Sequence, residues 1–438
     1  MGNARKFVVK LLTKLDDNSS YSNILLDNAL EKSQLDQREK KFASALFYGV
    51  LEREITLDEI IISYSKKTSS KLSLEVRNIL RTAIYQLLYM NSVPESAAVD
   101  EAVKLAKKNR NPAVSGYVNG LLRAFIRDGK KLPQKSGRLE KLSLEYSCPL
   151  PLVEKWDREY GEEICMEMLK SSIGQAPTSL RINSVFYPFE STLDMLLADG
   201  VTFEKNSFLE DSVNVCFSGG VEHTEAYRKG RFHVQDISSQ LCCAALAPQS
   251  GEIILDLCSA PGGKAFTIAE IMKNKGEVLA FDLHSNRVKL IDFGAKRLGL
   301  TCVKAAVNNA KEFNQQMPMA DRVLCDVPCS GLGVIRRKPE IKYKNLSDFD
   351  RLPEIQYEIL KTSAKYVKVG GTLVYSTCTV SRAENDCNAD RFIKENPDFV
   401  PAPLGEAFGE DKDKTRLTIT PSKYNSDGFF IAKFIRQR

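Results

Sequence analysis

The sequence predicts an α/β protein, with a parallel sheet flanked by helices in roughly its last two hundred residues. An all-α bundle and a small α+β region precede that sheet. Three observations carry this reading. From Gln235 onward, short apolar runs alternate with amphipathic stretches in β-α-β order, the pattern of strands buried between two helical layers. The first 130 residues place apolar side chains at helical spacing. Between them lie strand-sized and helix-sized segments punctuated by Pro149, Pro151 and Gly200.

The chain of 438 residues is long enough for two or three domains of roughly 100–200 residues each. With 43% hydrophobic and 27% charged residues, it has the composition of a soluble protein. No window holds the run of about 18 apolar residues that a membrane helix needs. Met1 to Asp17 lacks the continuous apolar stretch of a signal peptide, so a cytoplasmic protein without membrane partners is expected. The eleven cysteines are expected as reduced thiols. With His223, His233 and His284 as the only histidines and no C-x-x-C pair, no metal site is expected. The net charge of +6 is uneven: residues 1–140 hold 24 Lys+Arg against 16 Asp+Glu, leaving 38 against 40 in the remainder. A basic first third suggests a polyanionic partner, most simply nucleic acid.

Taken in order, Asp36 is placed to cap a helix carrying Phe42, Ala45, Leu46, Gly49 and Val50, with Glu39 at the capping-box position. Residues 75–89 put Val76, Ile79, Leu80, Ala83, Ile84, Leu87 and Leu88 on one helical face. Val93-Pro94-Glu95 breaks that helix and opens another through Lys107, and residues 113–127 repeat the amphipathic pattern. Short connections between such helices make an antiparallel bundle. No cysteine or histidine precedes Cys148, so this module reads as a binder rather than a catalyst. Arg5, Lys6, Lys107, Lys108 and Arg110 are candidate phosphate contacts, although a cation taken singly is more often a solvated surface charge.

Residues 130–138 read as a linker, and 142–169 as helical with a break at the prolines. A strand at 179–183, a helix over 190–199 ended by Gly200, and strands within 203–217 make a small α+β domain. There Arg181 and Asn183 either touch RNA or are polar residues of a sheet surface.

The last region runs strand (253–258), turn (259–264), helix, strand (277–282), helix (285–298), strand (300–307), strand (322–327), helix (353–369) and strand (371–376). The turn Ser259-Ala260-Pro261-Gly262-Gly263-Lys264 lacks the dinucleotide fingerprint. Its glycines still allow close backbone approach, and the helix N-terminus after it favours an anion such as a carboxylate. Asp282 ends the second strand, where an acid accepts hydrogen bonds from ribose hydroxyls. Pro328 stops the fourth strand and delivers Cys329 on a loop; Cys378 follows the fifth strand. Both thiols therefore lie at the sheet edge where open α/β folds hold their ligands, whereas Cys258 and Cys325 sit within strand runs as packing residues.

Two thiols beside a cofactor suit one difficult reaction. Cytosine C5 is a poor nucleophile until a thiolate adds to C6 and makes C5 enamine-like; C5 can then take up a methyl group, lose its proton and expel the thiol. Asp326 is placed as the acid near N3. By placement alone Cys329 would be the nucleophile, as in a DNA C5-methyltransferase, but the second thiol gives a rival. Val334-Ile335-Arg336-Arg337-Lys338-Pro339 follows the catalytic loop, and its cations suit either phosphate contacts or a solvated surface. A stacked target cytosine would have to flip out, at a cost lowest in single strands.

Asp256-Leu-Cys-Ser-Ala-Pro-Gly-Gly-Lys264, Asp326-Val-Pro-Cys-Ser-Gly331, Ser376-Thr-Cys378, RFHVQDISSQ at 231–240 and DGFFIAKF at 427–434 are together similar to the motifs of the Sun/NSUN family of RNA m5C methyltransferases. REKKFASALFYGVLE, PESAAVDEAVKLAKK and SGYVNGLLR in the first third resemble a NusB-like RNA-binding domain. The resemblance implies a NusB-like bundle over 1–135, an RRM-like α+β domain with a linker helix over 140–228, and a Rossmann-like class I methyltransferase domain over 229–438. It implies S-adenosylmethionine as cofactor and 16S rRNA as partner, with the target cytosine single-stranded or flipped and the protein monomeric. It makes Cys378 the nucleophile and Cys329 the thiol that assists product release. The cofactor contacts carry over to Cys258, Ser259, Ala260, Pro261, Gly262, Gly263, Lys264, Asp282 and Asp326. Where the family has an aspartate after the third strand this chain has Asn308, or Asn309 in a register shifted by one. A tRNA cytosine methyltransferase and a non-catalytic RNA-binding assembly factor are the alternatives.

Overall fold

The computed structural model describes residues 4–17, 22–65, 72–109, 111–217 and 220–438. Helices α1 (Ala4–Asp17), α2 (Ser22–Glu31), α3 (Gln37–Glu52), α4 (Glu54–Tyr64), α5 (Leu74–Tyr89), α6 (Glu95–Ala106), α7 (Ala113–Arg127), α8 (Arg138–Tyr146) and α9 (Leu150–Ser171) come first. Next are β1 (Thr178–Ile182), α10 (Phe189–Ala198), β2 (Thr202–Lys205), β3 (Ser212–Cys216), α11 (Glu225–Arg228) and β4 (Phe232–Val234). The alternating region follows as α12 (Ile237–Leu246), β5 (Ile253–Asp256), α13 (Gly263–Ile271), β6 (Glu277–Asp282), α14 (Ser285–Leu298), β7 (Val303–Val307), β8 (Ala320–Asp326), α15 (Leu352–Ala364) and β9 (Val367–Thr377). It closes with α16 (Asp386–Glu395), β10 (Phe399–Pro401), β11 (Arg416–Ile419) and β12 (Phe429–Arg436). None of the described helices is long and apolar enough to cross a membrane. The chain gathers into two compact units, Met1–Gln175 with Ile335–Lys344, and Ala176–Val334 with Asn345–Arg438.

The first unit is helical for the reasons its sequence gives. Asp36 caps α3 by accepting the Glu39 N–H at 2.8 Å. The periodic faces of α1, α3, α4, α5 and α7 bury Val8, Leu12, Phe47, Ile60, Ile79, Leu80, Ile84, Leu122 and Phe125 in one core. At Gly49 a side chain would come within 2.0 Å of the Tyr85 ring, so α3 accepts that ring only because position 49 has none. Arg81 is also buried on α5, with its guanidinium forked onto Asp58 at 2.8 and 2.6 Å and reaching Glu54 at 2.8 Å; a buried cation is tolerated when it is paired this way. Of the cations singled out as phosphate contacts, Arg5 bonds Gln86 at 2.7 Å and stacks on Phe42. Lys6, Lys107 and Lys108 are exposed, and Arg110 lies outside the described residues.

This unit runs beyond residue 135 through α8 and α9, and it takes in the segment after the Cys329 loop. Within it, Glu340 accepts the backbone N–H of Ser22 at 3.1 Å and its hydroxyl at 2.7 Å, at the first turn of α2. Lys342 is buried and donates to the Glu52 carbonyl at 2.8 Å; burial lowers its pKa to about 8. The Tyr343 hydroxyl donates to the Leu51 carbonyl at 2.7 Å. Arg336, Arg337 and Lys338 are half-buried in this segment.

The second unit holds two sheets. The smaller is antiparallel, in the order β2-β3-β1-β4. Arg181 and Asn183 do not offer themselves to RNA here. Arg181 is buried, paired with Asp211 at 3.1 Å and with Glu270 of α13 at 3.2 Å. Asn183 is fully buried and donates to the carbonyls of Gly230 and Leu298 at 3.0 and 2.8 Å. Both tie the small sheet to helices α13 and α14 that cover the larger one, whose order is β10-β12-β9-β8-β5-β6-β7 with β11 paired to β12. β5 through β9 are parallel, as expected; β12 then adds antiparallel to β9. The two-residue strand period shows at β5: Ile254 enters a core with Leu241, Ile268 and Ile291, and Leu255 enters another with Leu360 and Phe392. Thus α12, α13 and α14 cover one face, and α15 and α16 the other. α15 ends at Ala364 and not at 369, because Val367 already pairs with Ala320 of β8; the β-branched Val367 and Val369 suit the pleated sheet better than the helix.

The carboxylate of Glu340 acts as an N-terminal cap from a distant segment. Glu340→Ala is expected to lower stability by about 1–2 kcal/mol, read as a lower urea midpoint with unchanged m-value; an unaltered midpoint would show that the contact contributes nothing.

Candidate active site

Parallel strands end at one sheet edge, and here each end carries a polar or reactive residue. β5 ends on Asp256, β6 on Asp282 and β8 on Asp326, while Cys378 directly follows β9. Register fixes their neighbours: Asp282 lies beside Val307 of β7, and Asp326 beside Ser376 of β9.

The turn after β5 is pinned by Ser259, whose N–H donates to the Phe281 carbonyl at 2.7 Å. The Ala260–Pro261 peptide is cis and Gly262 has φ +110°, a conformation that glycine adopts without strain. A side chain at 262 would also come within 2.4 Å of the Phe266 ring. Asp256 is fully buried and neither of its carboxylate oxygens has a hydrogen-bond partner. Burial pushes its pKa up to about 7, against the opposing pull of nearby Ser259. The Ser259 hydroxyl and the Gln235 amide nitrogen are likewise buried and unpartnered. Gln235 is aimed by Thr267, whose hydroxyl donates to the other end of the amide at 2.5 Å. Half-buried Cys258 opens the turn, and burial raises its thiol pKa.

Asp282 accepts the His284 N–H at 3.1 Å and pairs with Arg287 at 3.0 Å; Arg287 also reaches the Ala260 carbonyl at 2.8 Å. Leu283 and Val307, next in chain to Asp282 and Asn308, leave 56% and 56% of their surfaces exposed. The two asparagines differ sharply. Asn309 turns outward, donates to Glu312 at 2.6 Å and accepts the Lys311 N–H at 3.2 Å. Asn308 keeps a buried amide nitrogen with no partner. Buried polar atoms are nearly always hydrogen-bonded, so a cluster of orphans around one loop marks places for a ligand's polar groups.

Lys264 points from the first turn of α13 to Asp326, 2.8 Å away, and lies 3.3 Å from the Ser239 hydroxyl. Burial alone would lower the Lys264 pKa; Asp326 outweighs it and holds the ammonium above its ordinary value. The second oxygen of Asp326 accepts the Ser376 hydroxyl at 2.7 Å.

The sulfurs of Cys329 and Cys378 approach to 3.1 Å, both half-buried. The hydrogen bond with Cys378 and burial together raise the Cys329 pKa. Backbone contact locks the surroundings: Gly333 donates to the Cys378 carbonyl at 3.1 Å, and Gly428 donates to the Gly333 carbonyl at 2.8 Å. A side chain on Gly333 would lie 1.9 Å from the Gly428 oxygen. Asp236 caps α12 and accepts the Asp427 N–H at 3.2 Å, so the 231–240 and 427–434 motifs meet here. The residues singled out from sequence therefore gather at one edge. Sequence reading passed over Asp256 and Gln235 as site residues, although a strand-end acid before a glycine turn was a usable signal for the first. It also passed over Glu384, whose partners lie far away in the chain.

The 16S rRNA methyltransferase RsmB/F family profile matches residues 243–435, and the NusB family profile matches residues 2–127. The Bacillus subtilis (strain 168) protein named "Probable ribosomal RNA small subunit methyltransferase B" is 39% identical over 436 residues, which span 98% of this chain and 97% of that protein. "Ribosomal RNA small subunit methyltransferase B" of Escherichia coli (strain K12) is 32% identical over 431 residues, 97% of this chain and 96% of that protein. The crystal structure of PH0851 is similar along 100% of this chain and 99% of its own, with a TM-score of 0.83 and 25% identity. A helical first unit, a mostly parallel sheet with its acids and paired thiols at one edge, and relatives alike over nearly their whole length place this chain in the ribosomal RNA small subunit methyltransferase B family.

Proposed function

We propose that this chain transfers a methyl group from S-adenosylmethionine to C5 of a cytosine in 16S rRNA, through a covalent bond between Cys378 and C6. The observation that carries this reading is the pair of sulfurs 3.1 Å apart at two adjacent strand exits, with the Lys264–Asp326 pair at the end of the same strand that delivers Cys329. The groups at this edge fit the cofactor: the orphaned Asp256 carboxylate suits its ammonium, the strand-end Asp282 its ribose hydroxyls, and the orphaned Asn308 amide nitrogen, next in chain to exposed Val307, its adenine. When bound there, S-adenosylmethionine supplies the electrophilic methyl group.

Each protein group then has a part. The Cys378 thiolate adds to C6, and the electron pair displaced from the C5–C6 bond enriches C5. Asp326 relays to N3 a proton from its Lys264 partner, which returns to the pair when the ring is restored. Once C5 carries its methyl group, the Cys329 thiol gives its proton to the departing Cys378 sulfur and takes the C5 proton in its place. The C6–S bond breaks, its electrons leave with Cys378, and the C5–C6 double bond is restored. The sulfur spacing lets Cys329 serve a ring already bonded to Cys378. Exposed Lys107 and Lys108, after α6, are assigned to rRNA phosphates, and the setting is the cytoplasm.

Three outcomes test this. Cys329→Ala should accumulate a covalent protein–RNA adduct with turnover reduced at least roughly 10²-fold, while Cys378→Ala shows neither adduct nor turnover on denaturing gels; an adduct persisting without Cys378 would reverse the two roles. Asp256 gives a pH signature. Its raised pKa makes the folded, ligand-free protein hold a proton that the unfolded chain has lost, so the stability from this group is present below about 4 and is lost as pH rises to about 7. S-adenosylmethionine affinity should rise through the same upper limit. Calorimetry should find both dependences absent from Asp256→Asn; a variant that binds with the wild-type pH profile would remove Asp256 from the site. Finally, replacing Lys107 and Lys108 by alanine should flatten the log–log salt dependence of rRNA binding by roughly one to two, and an unchanged slope would take the rRNA off this surface.

A further inference from the structure

The loops carrying the two thiols are held together by a buried carboxylate that the reaction itself does not use. Glu384 is 2% exposed. Its Oε2 accepts the Ser330 N–H at 2.9 Å and the Gln356 side-chain amide at 2.8 Å, and its Oε1 accepts the Ser330 hydroxyl at 2.6 Å. Because Ser330 gives its proton to Glu384, its oxygen is left to accept the Thr379 hydroxyl at 2.8 Å. Ser330 follows Cys329, and Thr379 follows Cys378. Gln356 also donates to the Pro328 carbonyl at 3.0 Å, on the other side of Cys329. The next residue, Asn385, completes the brace on the Cys378 side: it accepts the Thr377 hydroxyl at 2.6 Å and donates to the Thr379 carbonyl at 2.9 Å. Three donors converge on one acceptor-only group, an arrangement that a neutral side chain of donors and acceptors cannot copy without reversing a proton.

We infer that Glu384 is a positioning residue that sets the distance between the Cys329 and Cys378 sulfurs. It touches neither thiol-bearing residue directly; it acts through Ser330, Gln356 and Thr379. The inference rests on the reading that these two thiols carry the reaction, but the spacing itself can be measured without RNA. A fully hydrogen-bonded buried network of this kind fixes one geometry, and losing one member leaves its partners unsatisfied.

The test uses the full chain and phenylarsine oxide, which joins two thiols into a single arsenic adduct, with loss of water, only when they are close. Mass spectrometry of the digested protein follows the Cys329–Cys378 product. In Glu384→Ala the bridging rate should fall at least about tenfold, and kcat for methyl transfer should fall similarly with KM for S-adenosylmethionine within about twofold. Ser330→Ala keeps the backbone N–H bond to Glu384 but breaks the link to Thr379, so it serves if Glu384→Ala does not fold; its bridging rate should fall about threefold. A folded Glu384→Ala, or Ser330→Ala in its place, that bridges at the wild-type rate overturns the inference. Wild-type protein that bridges rapidly but methylates no cytosine would instead sink the proposed reaction and leave the Glu384 clamp intact.

Discussion

The ammonium of Lys264 sits largely out of water, with 14% of its side chain exposed, and the arrangement around it depends on how that charge is compensated. Removing a cation from water costs several kcal/mol unless a partner with good geometry replaces the hydration. Asp326 is that partner, and its second oxygen is taken by Ser376. One carboxylate thereby joins the first turn of α13, the end of β8 and the end of β9. Cys329 is three residues beyond Asp326, and Cys378 two beyond Ser376. Both thiol-bearing loops therefore leave the sheet from strand ends that share this carboxylate.

Much of this was readable in the chain because it is local. A glycine turn after an apolar run, acids at strand ends and a proline that halts a strand all express themselves within a few residues, and parallel topology brings such ends to one edge. What escaped is held by partners far away. Glu384 and Ser330 are 54 positions apart, and no spacing between them signals a bond. Arg181 looks the same in sequence whether it faces water or Glu270; burial against α13 decided it. The β9 boundary slipped because Lys365 to Val369 continues the helical rhythm of α15 until pairing with β8 overrides it.

The segment Ile335–Lys344 shows the same limit in another form. Three cations after a catalytic motif read naturally as phosphate contacts. Yet the residues that follow are structural members of the helical unit: Glu340 caps α2, and Lys342 and Tyr343 bond the last carbonyls of α3. The stretch leading away from Cys329 is thus anchored at its far end by residues near the beginning of the chain.

Buried polar groups in this protein fall into two kinds, and the difference separates brace from binding face. Those around Glu384 are satisfied by one another and give rigidity. Those around the Ser259–Lys264 turn, namely the Asp256 carboxylate, the Ser259 hydroxyl and the amide nitrogens of Gln235 and Asn308, make no close hydrogen bond to the protein. Each such group destabilises the free protein by roughly 1–3 kcal/mol. A ligand that satisfies them recovers that energy in binding and stabilises the folded state in proportion. The raised pKa of Asp256 is the same deficit expressed as proton affinity: in the free protein a proton is the cheapest available partner for the carboxylate, and a bound cation would displace it. The part of the sheet edge that is least stable by itself is therefore the part best prepared for a ligand, while the two thiols stand beside it on loops that need none.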